Sequence, residues 1–245
     1  MCSRCGSGPI ALVLVMAAAL SVRLVGQSPA GPQVLLETGE FHGDEVTATG
    51  GEGWLALVAH GSHDALEAAT IEVTIVRDSL VDPDEGPFTG KMVALAGALA
   101  GTDPVLLVRG FPRLEPRPDV LRAEIDTASW PTSLWTTRRV QFVLAGQRYT
   151  LRVTPSDPAQ PLTKRSEVLL EDGVTPQVLH RMPRDPDDAE WEVLWAGDLD
   201  GDGRLDLYMN LSYHYNMTHR MLFLSTAAGA GELVGRVAEF TTTGC

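Results

Sequence analysis

The segment AGDLDGDGRLDLYM (residues 196–209) sets four aspartates, Asp198, Asp200, Asp202 and Asp206, within nine positions. Carboxylates about 5 Å apart repel by roughly 3 kcal/mol per pair at an effective dielectric of about 20. Such crowding needs a compensating charge. The cluster runs into an alternating apolar stretch: Leu205, Leu207, Met209 and Leu211 fall on one side of a strand, with Asp206, Tyr208 and Asn210 on the other. Upstream, WEVLWAG places Trp191, Val193 and Trp195 on one face. The acidic run is therefore expected to be the turn of a β-hairpin.

The rest of the chain reads in the same period. GWLALVAHG (53–61), ATIEVTIVRD (69–78, with Ile71, Val73 and Ile75 aligned) and PVLLVRG (104–110) are expected strands. RVQFVLAGQRYTLRVTP (139–155) is an expected hairpin turning at Gly146-Gln147, with Val140, Phe142, Leu144, Tyr149, Leu151 and Val153 inward. MLFLS and GELVGRVAEF add two more strands after residue 219. Only KMVALAGALAG (91–101) has helix-forming composition, and a central glycine opposes it. The fold class is all-β: an antiparallel sandwich or meander with a minor helix at most. Residues 155–190 hold most of the later prolines and one strand-like piece, SEVLLE, so they read as a loop or edge-strand connection. This divides the chain into an N-terminal β region (31–154), a Pro/Asp-rich connection (155–190) and a C-terminal meander (191–245), with one continuous core over 31–245 slightly favoured over two units.

The aspartate spacing fits a hard divalent cation, which takes oxygen ligands; Ca²⁺ accepts six to eight in flexible geometry. Positions 1, 3, 5, 7 and 9 of the turn are Asp198, Asp200, Asp202, the carbonyl of Arg204, and Asp206, and Gly203 at position 6 permits the sharp bend. An EF-hand needs a glutamate at position 12 and flanking helices; here position 12 is Met209 and both flanks are strands. GDLDGDGRLDLYMNLS instead resembles the DxDxDGxxD turns of FG-GAP and VCBS-type repeats, which join β-strands around Ca²⁺. The likeness covers about residues 193–211, and one copy does not make a propeller, whose blades need neighbours. The chain also resembles uncharacterised exported bacterial proteins with one such turn near the C terminus, a likeness that implies no activity.

Location is read from the other end. IALVLVMAAAL (10–20) behind Arg4 has the length of a signal-peptide apolar region, and Ser28 and Ala30 supply small residues for cleavage after Ala30. Residues 1–30 are the expected signal peptide and the mature protein is expected to be periplasmic or secreted. A retained anchor is the alternative, although the apolar run is about half of a membrane span, and no transmembrane segment is expected in the mature chain. Cys2 and Cys5 precede the apolar run, against a lipid-modified cysteine. Losing Arg4 and Arg23 with the leader moves the net charge from −13 to −15. That balance repels nucleic-acid phosphates, so nucleic acid is an unexpected partner. Cys245, the single cysteine left, is either inert or the link of a disulfide-bonded dimer.

Other clusters carry less. In HGSHDA (60–65), sequence neighbours Ser62, His63 and Asp64 diverge and make a poor triad. SYHYNMTH (212–219) reads as an aromatic loop with two histidines at a spacing unsuited to zinc, able to touch a sugar or peptide. RDPDDAE (184–190) reads as a solvated linker, and DPDEG (82–86) as a failed echo of the acidic turn. No catalytic motif is found. The expectation is a calcium-stabilised exported β-domain with a binding or structural role, its partner a glycan or an envelope protein; the competitor is a secreted hydrolase of envelope polymers.

Overall fold

A computed structural model describes Met1 and residues 32–61, 63–126, 131–154 and 165–244. Residues 2–30 of the expected leader, Ser62 of HGSHDA, residues 155–164 of the connection and Cys245 lie outside the described residues. The first half holds β1 (Val34–Leu36), β2 (Gly39–Phe41), β3 (Gly51–His60), β4 (His63–Val76), β5 (Gly90–Ala96), β6 (Leu106–Arg109), β7 (Arg117–Arg122) and β8 (Glu124–Ile125). Then come β9 (Thr132–Ser133), a four-residue helix α1 (Leu134–Thr137), β10 (Arg139–Leu144), β11 (Gln147–Thr154), β12 (Glu167–Glu171) and β13 (Pro176–Arg181). The chain ends with β14 (Trp191–Asp198), β15 (Asp206–Leu211), β16 (Met217–Leu224) and β17 (Gly235–Thr243).

The fold is all-β with antiparallel sheets, as the alternation predicts. One sheet follows the path β1-β6-β3-β4-β7-β14-β15-β16-β17, with β2, β5 and β9 attached off it. Its two end strands, β1 and β17, touch, so this sheet is nearly closed. Phe41 meets Phe240 edge-on at 5.3 Å, and Glu37 after β1 accepts from Tyr208 Oη at 2.5 Å and Arg220 Nε at 3.1 Å. The second sheet, β13-β12-β11-β10-β8, covers one flank.

The strands β14 to β16 serve both cores, which positions the aspartate turn. Leu205, Leu207, Met209 and Leu211 pack with Val140, Phe142, Leu151, Val168 and Leu170 between the sheets. Tyr208, on the opposite face, packs inside the nearly closed sheet with Trp54, Leu57, Leu107 and Phe240. All six residues of β15 are consequently buried. Each fully buried aliphatic side chain contributes about 1.5–3 kcal/mol, so this hairpin is anchored from two sides. Among the described residues no helix is long and apolar enough to cross a membrane.

Three local expectations are corrected. Residues 91–101 are not helical: Lys91–Ala96 pairs with β4, burying Val93 and Leu95 at period two, and a 3-10 turn covers Gly97–Leu99. Strand partners on both sides outweigh the Ala/Leu composition. Trp195 does not share a face with Trp191 and Val193. The β14–β15 register shifts between Val193 and Trp195, and this bulge sends Trp195 into the core of the first sheet while Trp191 and Val193 stay between the sheets. The 139–154 hairpin turns at Ala145-Gly146, with φ of 49° and 83°, because Leu144 pairs with Gln147.

Candidate metal centre

The turn between β14 and β15 is organised by its own carboxylates. Asp198, last residue of β14, accepts from the backbone N–H groups of Gly201 (2.7 Å) and Asp202 (3.0 Å) on Oδ1 and of Gly203 (3.0 Å) on Oδ2. Gly201 and Gly203 have φ of +80° and +79°, a region that glycine enters without steric cost. Asp206, first residue of β15, is fully buried. Its Oδ2 accepts from the N–H of Leu199 (2.7 Å) and Asp200 (3.2 Å), and its Oδ1 from the N–H of Ser225 (2.7 Å) after β16. Asp200 Oδ2 accepts from the Thr226 hydroxyl, whereas Asp200 Oδ1 is buried with no hydrogen-bond partner. Ligand-capable oxygens of Asp198, Asp200 and Asp206 lie within 4.8 Å of one another.

The electrostatics of this trio are unfavourable for the protein alone. Burial, and then the Asp200 charge, pushes the Asp206 carboxyl up to about 8. Burial also raises Asp200, aided by Asp202 and Asp198. Yet three N–H groups point at Asp206, a donor set that suits a carboxylate and not a carboxylic acid. Orphaned Asp200 Oδ1 and amide-cradled Asp206 are both accommodated if a cation sits among the three carboxylates. The residues present therefore fit a bound metal ion of the hard, oxygen-seeking class.

The remaining predicted ligands stand apart. Asp202 is not in the trio: its Oδ2 accepts from Ser225 Oγ (2.8 Å) and Arg204 Nε (2.9 Å), and its Oδ1 from the Arg204 N–H (2.8 Å). Burial works against its ionisation, but the bonds from Ser225 and Arg204 hold it below the ordinary aspartate value. Arg204 thus spends its side chain on Asp202, and the spacing asks only for its carbonyl.

Three residues of the site escape sequence reasoning. Arg117 on β7 donates to the carbonyls of Leu199 and Asp198 (the latter at 3.3 Å), a clamp on the turn from 82 and 81 residues away. Ser225 and Thr226 close it from the end of β16. Arg117 sits in RPDVLR, where Pro118 masks the strand; the only signal for Ser225 and Thr226 is that a meander returns β16 beside β15.

The other clusters resolve differently. HGSHDA spans the end of β3 and the start of β4, where Asp64 is 1% exposed, bonded by Arg122 through both oxygens and by Trp195 Nε1 at 2.7 Å. It is a structural anchor, invisible while Trp195 is assigned to the other face. His219 lies in β16 and not in a loop, with Nε2 3.2 Å from Glu239. RDPDDAE is not a free linker: Asp187 exchanges backbone bonds with Tyr213 and Tyr215 and pairs with His214 at 3.2 Å, and Arg184 covers the Tyr213 ring at 4.7 Å. In DPDEG, Asp82 is a turn organiser, accepting from the N–H of Asp78 and Thr89 and from the Thr89 hydroxyl. Neighbouring Asp78, also buried, holds His42 Nδ1, and the imidazole lies between cavities of about 210 and 530 Å³. No protein-family model, curated protein or solved structure matches this chain.

Proposed function

We propose that this is an exported β-domain protein in which a calcium ion sits between Asp198, Asp200 and Asp206 and locks the β14–β15 hairpin, serving a binding or structural role in the cell envelope or the extracellular space. In this reading Asp202 and the Arg204 carbonyl complete the shell, as the FG-GAP/VCBS-like spacing asks. The observation that carries it is the buried, unpartnered Asp200 Oδ1 beside the buried Asp206 carboxylate. Ca²⁺ is preferred over Mg²⁺ because an all-protein cage of carboxylates suits a large, flexible coordination shell, whereas Mg²⁺ keeps its waters. In this reading the ion's role is structural, since four carboxylates and a carbonyl from one tight turn fill the shell and leave no open position for a reacting water. The test is calorimetric titration of chelator-treated protein with Ca²⁺ and Mg²⁺. One saturable Ca²⁺ site, weaker for Mg²⁺ and lost in Asp200→Asn, is expected; no saturable site for either ion removes the reading.

A second reading, a secreted hydrolase with structural calcium, is favoured by one feature, the His42–Asp78 pair. A buried carboxylate on Nδ1 leaves Nε2 as a base toward a cavity. Turnover of chromogenic esters and peptidoglycan fragments by the wild type, lost in His42→Gln with calcium binding intact, would support it.

A further inference from the structure

We propose that the cavity formed by β3, β4 and the end of β6 is a binding site for a small monocarboxylate with an aromatic or short aliphatic body. It shares no residue with the aspartate turn and does not rest on the metal reading.

The cavity encloses about 560 Å³, within the range that holds small organic ligands. Its construction follows from register. Trp54 pairs with Ala69 across β3–β4, and Leu55 pairs with Val108 across β3–β6, so the next residue of β6, Arg109, comes beside Trp54. The Arg109 guanidinium lies over the Trp54 ring, 5.0 Å from its centroid. Phe111 and Leu114, from the loop after β6, supply apolar wall, and Thr70 a hydroxyl. Trp54, Ala69, Phe111 and Leu114 are all buried, giving a firm apolar lining.

One feature of this wall is left unmatched by the protein. Arg109 has no carboxylate partner among the described residues, in a chain where acids outnumber bases by 32 to 19, and unlike Arg113 and Arg148, which also carry no ion pair, it lines a cavity. Stacking on Trp54 accounts for the position of Arg109. It does not account for the unpaired charge facing a cavity. A carboxylate matches the planar guanidinium fork with two parallel bonds. Its apolar body then lies against Leu55, Ala68 and Pro112, which buried Trp54, Phe111 and Leu114 back. A second negative charge on the ligand is disfavoured, because the chain's net charge of −13 opposes it.

The experiment titrates the full chain with hydrocinnamate and with its neutral amide, hydrocinnamamide, following tryptophan fluorescence and calorimetry. Hydrocinnamate is expected to bind at least about tenfold tighter than the amide. Arg109→Gln should remove most of that difference, and Arg109→Lys should keep part of it. Binding should persist in a chelator while the protein stays folded, separating this site from the metal centre. If the amide binds as tightly as the acid, if Arg109→Gln and wild type bind hydrocinnamate equally, or if no saturable binding is seen up to about 10 mM, the proposal is overturned.

Discussion

Trp195 Nε1 donates to Asp64 Oδ2 over 2.7 Å, joining residues 131 positions apart. The same carboxylate takes both arms of Arg122. Three strands, β4, β7 and β14, are thereby held at the seam where the N-terminal strands meet the C-terminal meander. Asp64→Ala leaves the buried Trp195 N–H and the Arg122 charge without an acceptor. It should cost about 3–5 kcal/mol, read by urea unfolding; Asp64→Asn, which keeps one acceptor, should cost less. A loss under about 1 kcal/mol for Asp64→Ala would show the seam to be held elsewhere.

The meander is legible in the sequence because Leu207, Met209 and Leu211 alternate with polar residues, and the hairpin of β10 and β11 because Phe142 and Tyr149 do the same. The sequence sets Asp206, Tyr208 and Asn210 on one face of β15 without indicating that the face is buried, yet all three are buried, because the sheet nearly closes over them. Closure is a property of strand order, which no single strand encodes. One bulge residue displaces Trp195 from the face its spacing predicts, and that displacement hides Asp64. In the turn itself, the spacing points to Asp198, Asp200, Asp202, the Arg204 carbonyl and Asp206, and carboxylate oxygens of Asp198, Asp200 and Asp206 do lie within 4.8 Å of one another. It cannot foresee that Asp202 is held by Arg204 and Ser225, since Ser225 arrives only by folding.

Calcium should raise thermal stability. An ion at about ten times its dissociation constant adds roughly 1.4 kcal/mol, or about 3–6 °C in Tm for a chain of this size. Scanning calorimetry with Ca²⁺ and with EDTA measures it. Asp200→Asn should abolish the increment, and in EDTA it should melt no lower than wild type, because it removes a carboxylate that repels Asp206. A calcium increment that survives in Asp200→Asn places the ion elsewhere.

Gly201 and Gly203 share a left-handed backbone but not an environment. A Cβ on Gly201 would lie 1.9 Å from Arg117 Nη1, whereas one on Gly203 meets nothing within 4 Å. Gly203→Ala should therefore cost only the backbone term, about 1 kcal/mol, and Gly201→Ala about 1–3 kcal/mol more by displacing the Arg117 clamp. In an Arg117→Ala background the two costs should converge, which a double-mutant cycle in urea reads directly. Persistence of the gap in that background would mean that the Arg117 contact is not its cause.

Two histidines should tilt stability in opposite directions on either side of pH 6.5, on top of the Asp206 carboxyl, which burial raises to about 8 and which acts alike in wild type and in histidine variants. Burial, with the nearby His219 and Arg236 charges, lowers His180 from 6.5 to about 4. Between those values the unfolded chain binds a proton that the folded chain refuses, so stability drops as pH falls, by up to about 3 kcal/mol. His42 is the reverse case: its bond to Asp78 raises it above 6.5, burial notwithstanding. The contribution of that bond is complete below 6.5 and is lost as pH rises through the raised value. Urea unfolding from pH 4.5 to 8.5 tests both limbs. His180→Phe keeps an aromatic ring against Trp191, 5.6 Å away in the wild type, and should flatten the acid limb alone. His42→Gln should flatten the alkaline limb alone. An acid limb of undiminished depth in His180→Phe would assign it to the carboxylates instead.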